Sequence, residues 1–198
     1  MRLALAVAGT GRDGYLVVVP SALLLVDVIK DFRHEDGERL LASYEARHDA
    51  LKAVLAAARE NGTPVVYAND DAGTWDSDFS KLLVDAVERG RAGDLVASVA
   101  PQDGDVIVLK PRYSAFDATP LEMVLREQLE VDELLVAGTA TEMCVFQTVT
   151  DALRVGFSVA VQADACATVD EEHERLALRY LHEVLDVPLF TSRTSSRR

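Results

Sequence analysis

The sequence predicts an α/β three-layer sandwich around a mainly parallel central sheet, Rossmann-like in plan. Two features predict it. Five short apolar runs recur along the chain, ALLLVDVI (22–29), PVVYAN (64–69), DVIVLK (105–110), ELLVAG (133–138) and FSVAVQA (157–163), and each leads into a segment of helical character. The runs are also near-continuous in Val, Leu and Ile instead of alternating apolar with polar, as suits strands covered on both faces.

The segments between the runs support the same plan. After the first, RLLASYEARHDALKAVLAAARENG (39–62) carries apolar residues at spacings of three and four and stops at Asn-Gly, a helix C-terminal signal. After the third, TPLEMVLREQL opens with Thr119 as N-cap and Pro120 at the first helical position. A last helix, over about 170–186, begins in an acidic cluster and leads to a short terminal strand at VPLF. No repeat or interdomain linker interrupts the pattern, and 198 residues at 49% hydrophobic suit a single domain over 1–198 with a full core.

Composition narrows the partners. A formal charge of −13 argues against nucleic acid and anionic membrane, whose binding is driven by basic surface. No apolar run approaches the length that spans a bilayer, about 20 residues. The start, MRLALAVAG, has too short an apolar stretch for a secretory signal, so the chain is expected in the cytoplasm. Two cysteines in neither a disulfide framework nor a zinc-type spacing suit a reducing compartment and free thiols. The tail TSRTSSRR reads as a disordered end.

Ligands of such sheets bind in the crevice at the carboxyl ends of the strands, so the polar residues there matter most. In order they are Asp27, then Asn69, Asp70 and Asp71, then Lys110, then the stretch from Gly138 to Cys144, and Asp164. A cysteine at a helix start beside a lysine is expected to have a lowered pKa and more thiolate. An aspartate supplies a base for the thiol proton and then an acid for a departing amine. Backbone N–H groups at the Gly138–Cys144 turn are placed to hold an oxyanion. Taken singly, each residue has a plain alternative: Cys144 as a small buried apolar side chain, Asp27 as a turn residue, Lys110 as a solvated charge. Their joint placement at the ends of three strands favours a nucleophile, a base and a cation in one pocket.

The chain resembles the isochorismatase-like cysteine hydrolases, which include nicotinamidases and N-carbamoyl amidohydrolases. The resemblance runs from about Ala22 to Phe190 and is carried by LLLVDVIKDF, VLKPRYSAFDATPLEMVL and VAGTATEMCVFQTVTDALRVGFSVAVQADACAT, the last being the most specific. It implies a triad of Asp27, Lys110 and Cys144, a cis peptide at Thr139–Ala140, and an oxyanion hole made by the N–H groups of Ala140 and Cys144. It also implies a homo-oligomer, dimer or tetramer, whose subunits complete one another's pockets.

Departures from the family pattern narrow the chemistry. The metal-binding histidines of nicotinamidases, expected after the second strand, are absent from ANDDAGTWDSDFS, so no metal is assigned. Asp70, Asp71, Asp76 and Asp78 read as a solvated acidic loop, with a hard-cation site as the alternative. Ile29 stands where many members have glutamine, and the first 20 residues lie outside the resemblance, as an extra strand or a start-site artefact. Phe32 and Trp75 are candidate pocket walls, with core packing as the alternative; Arg112 and Tyr113 face the pocket or a neighbouring subunit; Cys166 is structural. The expected function is cofactor-free hydrolysis of a C–N bond in a small carboxamide or N-carbamoyl compound through a thioester. The alternatives are an isochorismatase-type vinyl ether hydrolase and a catalytically silent binding subunit.

Overall fold

The computed structural model describes residues 21–71 and 78–191; Trp75, Asp76, the first 20 residues and the tail from 192 onward lie outside the described residues. The apolar runs become the parallel strands β1 (Ser21–Val26), β2 (Val65–Asp70), β3 (Val106–Lys110), β4 (Glu133–Thr139) and β5 (Ser158–Ala167). The terminal strand β6 is Leu189–Phe190, and the sheet order is β3-β2-β1-β4-β5-β6. All neighbours pair in parallel. Helices lie on both sides of the sheet. The continuous Val/Leu composition follows from this: Ala22 through Val26 are wholly buried, as are Val66, Tyr67, Val136 and Ala137.

The helices are α1 (Gly37–Asn61), α2 (Phe79–Val84), α3 (Gly93–Ser98), α4 (Leu121–Met123), α5 (Phe146–Arg154) and α6 (Glu171–Glu183). Wider π-helical turns extend three of them, at Asp85–Arg89, Val124–Gln128 and Thr141–Val145. Helix α1 ends at Gly62 in the left-handed conformation, φ 68°, as its Asn-Gly stop requires. Helix α4 begins one residue later than its proline suggests, and the Thr119 hydroxyl still accepts the N–H of Leu121 at 3.2 Å. Asp170 caps α6 by accepting the N–H of His173 at 2.9 Å.

One strand departs from expectation. β5 continues past residue 163 to Ala167 and shifts register against β4 between Val136 and Gly138, with Val136 opposite Val161 and Gly138 opposite Cys166. Asp164 therefore lies within the strand and not at its carboxyl end, and it accepts the Gln162 amide at 2.6 Å. The small residues of ADACA allow the irregular stretch to rejoin β4 beside the Gly138–Cys144 turn.

The strand order reverses about β1, which has β2 on one side and β4 on the other. That arrangement opens a crevice at the carboxyl ends of β1 and β4, where doubly wound sheets hold their ligands. Among the described residues no helix is long and apolar enough to cross a membrane.

Candidate active site

Asp27 follows β1 directly and takes a left-handed backbone conformation, φ 51°, one that aspartate adopts more readily than most side chains. Its backbone is held on both sides: its N–H donates to the Ala68 carbonyl at 2.9 Å, and its own carbonyl accepts the Thr139 hydroxyl at 2.9 Å. Next along, the Asn69 side chain clamps Ile29, accepting its N–H at 3.1 Å and donating to its carbonyl at 3.0 Å. The polar end of β2 thus shapes the loop after β1. Asp27 Oδ1 accepts the Asp70 N–H at 2.7 Å. Its other oxygen, Oδ2, is buried and lies 2.8 Å from Lys110 Nζ as an ion pair, with no hydrogen bond of good geometry.

Lys110 ends β3, with β2 between it and β1. Two strand spacings of about 4.8 Å separate the ends of β3 and β1, a gap that a lysine and an aspartate bridge together. The lysine is wholly buried; its Nζ donates to the Arg112 carbonyl at 3.1 Å and lies 3.6 Å from Cys144 Sγ. Burial pulls its pKa down, but the charges of Asp27 and then Cys144 outweigh this, and the net shift is upward. It is an ammonium at any ordinary pH.

Cys144 sits in the π-helical turn Thr141–Val145 that follows β4. Gly138 makes the turn possible: at φ 142° it lies so close to β1 that an added Cβ would come within 2.0 Å of the Val26 carbonyl oxygen. The Thr139–Ala140 peptide is cis. The Ala140 carbonyl accepts the N–H groups of Met143 at 3.1 Å and Val145 at 3.2 Å, on either side of Cys144.

The thiol differs from expectation. Burial first, then the Asp27 carboxylate, push its pKa up to about 12, and Lys110 offsets only part of this. A lysine already engaged by a buried carboxylate leaves little net positive potential for the sulfur. The resting group is therefore a thiol facing a carboxylate, not a preformed thiolate. Cys166 is also held up at about 12, chiefly by complete burial, and donates to the Gln162 carbonyl at 3.4 Å. Because both thiols resist ionisation, access decides their reactivity. Iodoacetamide should modify partly exposed Cys144 well before buried Cys166, and equal rates by peptide mapping would contradict that assignment.

Asp27, Ala140 and Cys144 line a cleft of about 520 Å³, with Ile29, Lys30 and Tyr113 also on its lining; Lys110, wholly buried, contacts Asp27 and Cys144 without lining it. Phe32 does not line it. That ring is wholly buried at 5.2 Å from Tyr44 and belongs to the core, because the left-handed turn at Phe32 (φ 57°) sends it inward. Arg112 is exposed and contributes its carbonyl to Lys110. Of the acidic loop, Asp78 caps α2 by accepting the Ser80 N–H at 2.8 Å. Among the described residues no group of three or more His, Cys, Asp or Glu side chains is placed to hold a metal.

Sequence reading alone did not find the supports of the turn. Thr141 contacts Glu174 Oε1 at 2.8 Å, and Glu174, itself buried, forms a two-pronged ion pair with Arg47 of α1. Glu142 accepts the Thr168 hydroxyl at 2.7 Å and the Val169 N–H at 3.0 Å. The turn that carries Cys144 is thereby tied to α1, to the end of β5 and to α6. Only the TATE stretch hinted at this, since the partners lie far away in sequence.

A thiol, a carboxylate and an ammonium are gathered at the switch point of a doubly wound sheet, an arrangement that suits a hydrolase of α/β architecture. The Isochorismatase domain model matches residues 21–191, nearly the whole described chain. Among curated proteins, the uncharacterized isochorismatase family protein YaaI of Bacillus subtilis is 32% identical over 170 residues, covering 86% of this chain and 93% of its own. The ureidoacrylate amidohydrolase RutB of Cronobacter sakazakii is 30% identical over 190 residues, covering 79% of each. Among solved structures, nicotinamidase PncA from Bacillus subtilis superposes with a TM-score of 0.69 at 28% identity, over 86% of this chain and 99% of that one. The chain belongs to the isochorismatase family, and it is a hydrolase of that family.

Proposed function

We propose that the protein hydrolyses a C–N bond in a small carboxamide or N-carbamoyl compound through a thioester on Cys144. The observation that carries this reading is the contact set at the cleft floor: Lys110 Nζ is 2.8 Å from Asp27 Oδ2 and 3.6 Å from Cys144 Sγ. The amide and ureide chemistry in the names of the nicotinamidase and the ureidoacrylate amidohydrolase supports it. As sulfur attacks the carbonyl carbon, Asp27 takes the thiol proton on its unbonded oxygen; it returns that proton to the nitrogen as the C–N bond breaks. Water then adds to the thioester, giving a proton to Asp27, and the sulfur leaves with that proton restored. Lys110 holds Asp27 and Cys144 in place through its contacts with both, and the N–H groups of Ala140 and Cys144 receive the developing oxyanion.

Trapping tests the reading. The protein is mixed with a panel of primary amides and N-carbamoyl compounds, quenched in acid and weighed intact. The expected result is an acyl or carbamoyl adduct on Cys144; absence of any adduct and of any turnover across the panel would refute it.

Two further expectations belong to this reading. No metal is required, because the stretch after β2 offers no histidine, so activity should survive exhaustive chelation; loss in chelator with recovery on added zinc or manganese would count against it. The protein is also proposed to act as a cytoplasmic homo-oligomer. A groove of about 620 Å³ beside the cleft is lined by Met143, Phe146, Leu176 and Tyr180, apolar side chains that a monomer leaves to water. Sedimentation at micromolar concentration should show a dimer or larger; a fully active monomer would contradict it.

A further inference from the structure

The charge around the mouth of the cleft bears on what can enter it. Four aspartates line it above the catalytic floor: Asp31 and Asp36 from the segment between β1 and α1, Asp70 at the end of β2, and Asp85 beyond α2. Two of these pair with arginines on the exposed surface, Asp36 with Arg39 and Asp85 with Arg89. Neither arginine is among the described residues that line the cleft. Among the described lining residues Lys30 is the one permanent cation. His34, also on the lining, has its pKa lowered by burial first and by Lys30 next, so it adds no positive charge near neutral pH.

The floor adds none either. The buried Lys110 is matched by Asp27 at 2.8 Å. The chain as a whole carries −13. A concave site lined by one sign of charge focuses the potential and raises or lowers local ligand concentration according to its sign.

We propose that the substrate is a neutral or cationic small amide or ureide, and that the aspartates at the mouth, Asp31, Asp36, Asp70 and Asp85, exclude anionic ones. This rests on the amide-hydrolase reading for the reaction, but the selectivity itself is a property of the cleft. It sets this enzyme apart from any hydrolase whose substrate carries a free carboxylate, which needs more cationic anchoring than a lone lysine among aspartates provides.

The experiment uses charged thiol reagents on the intact protein. Three methanethiosulfonates of similar size, one ending in a trimethylammonium, one in a hydroxyl and one in a sulfonate, each form a mixed disulfide with Cys144 and release methanesulfinate. Their rates at Cys144, followed by intact mass and peptide mapping, are divided by their rates with 2-mercaptoethanol, which removes intrinsic reactivity. At an ionic strength of about 0.01 M the normalised rate should favour the cation over the sulfonate by about tenfold or more. The gap should close at about 1 M salt, where the screening length falls to about 3 Å. The double variant Asp31→Asn, Asp85→Asn should narrow it severalfold at low salt.

Equal normalised rates overturn the proposal. So does a preference for the sulfonate that vanishes in Lys30→Met, which would make Lys30 a carboxylate anchor. The companion measurement is kcat/KM for amides of matched length ending in ammonium, hydroxyl or carboxylate, with the carboxylate expected to be poorest; a best rate with the carboxylate also overturns the proposal. Failure of the amide reading shows differently, as no turnover of any amide and no adduct, while the disulfide rates still report the sign of the field.

Discussion

Cys144→Ala is expected to remove turnover, by about 10⁴- to 10⁶-fold, the scale on which loss of a nucleophile acts when its partners cannot substitute for it. The protein should remain folded. Cys144 is partly exposed, and the substitution removes one sulfur atom without unpairing Asp27 from Lys110, so its melting transition should shift by no more than about 1 kcal/mol of stability allows. The adduct seen with productive amides should disappear at the same time. An alanine variant that keeps measurable turnover would remove the thioester from the mechanism and move attention to water activated by Asp27.

Asp27→Asn is expected to cost about 10²- to 10⁴-fold in kcat, the usual contribution of a positioned acid–base group. Asparagine is the right probe because it tolerates the left-handed backbone at this position and can still accept the Asp70 N–H. What it cannot do is carry the thiol proton. It also leaves the Lys110 ammonium buried without its counter-ion, and breaking a buried pair from one side costs about 3–5 kcal/mol of stability. The variant must therefore be assayed below its own melting transition. Lys110→Met removes the other partner and leaves the buried Asp27 carboxylate without its counter-ion. It should lose activity and stability together. Near wild-type rate in a folded variant of either kind would strike that residue from the mechanism.

The sequence by itself determined the layer plan and the residues at the sheet's edge. Near-continuous runs such as ALLLV and ELLVA are legible because a strand covered on both faces has no polar side to show. Asp27, Lys110 and the Gly138–Cys144 turn were legible because a polar residue ending such a run has one place to go, the crevice. Only the tertiary structure decided the rest. Phe32 belongs to the core because its backbone turns inward, a fact of φ that composition does not carry. Asp164 fell inside β5 because register depends on the neighbouring strand. Arg47 and Glu174 meet across 127 positions of chain, so neither announces the other locally. The protonation of Cys144 was misjudged from sequence for the same reason: a nearby lysine lowers a thiol's pKa only if its charge is unspent, and here Asp27 engages it at 2.8 Å while burial raises the cost of the thiolate. Which residues reach the crevice follows from local pattern, whereas the state in which they wait there is set by desolvation and by charges that only the folded chain brings together.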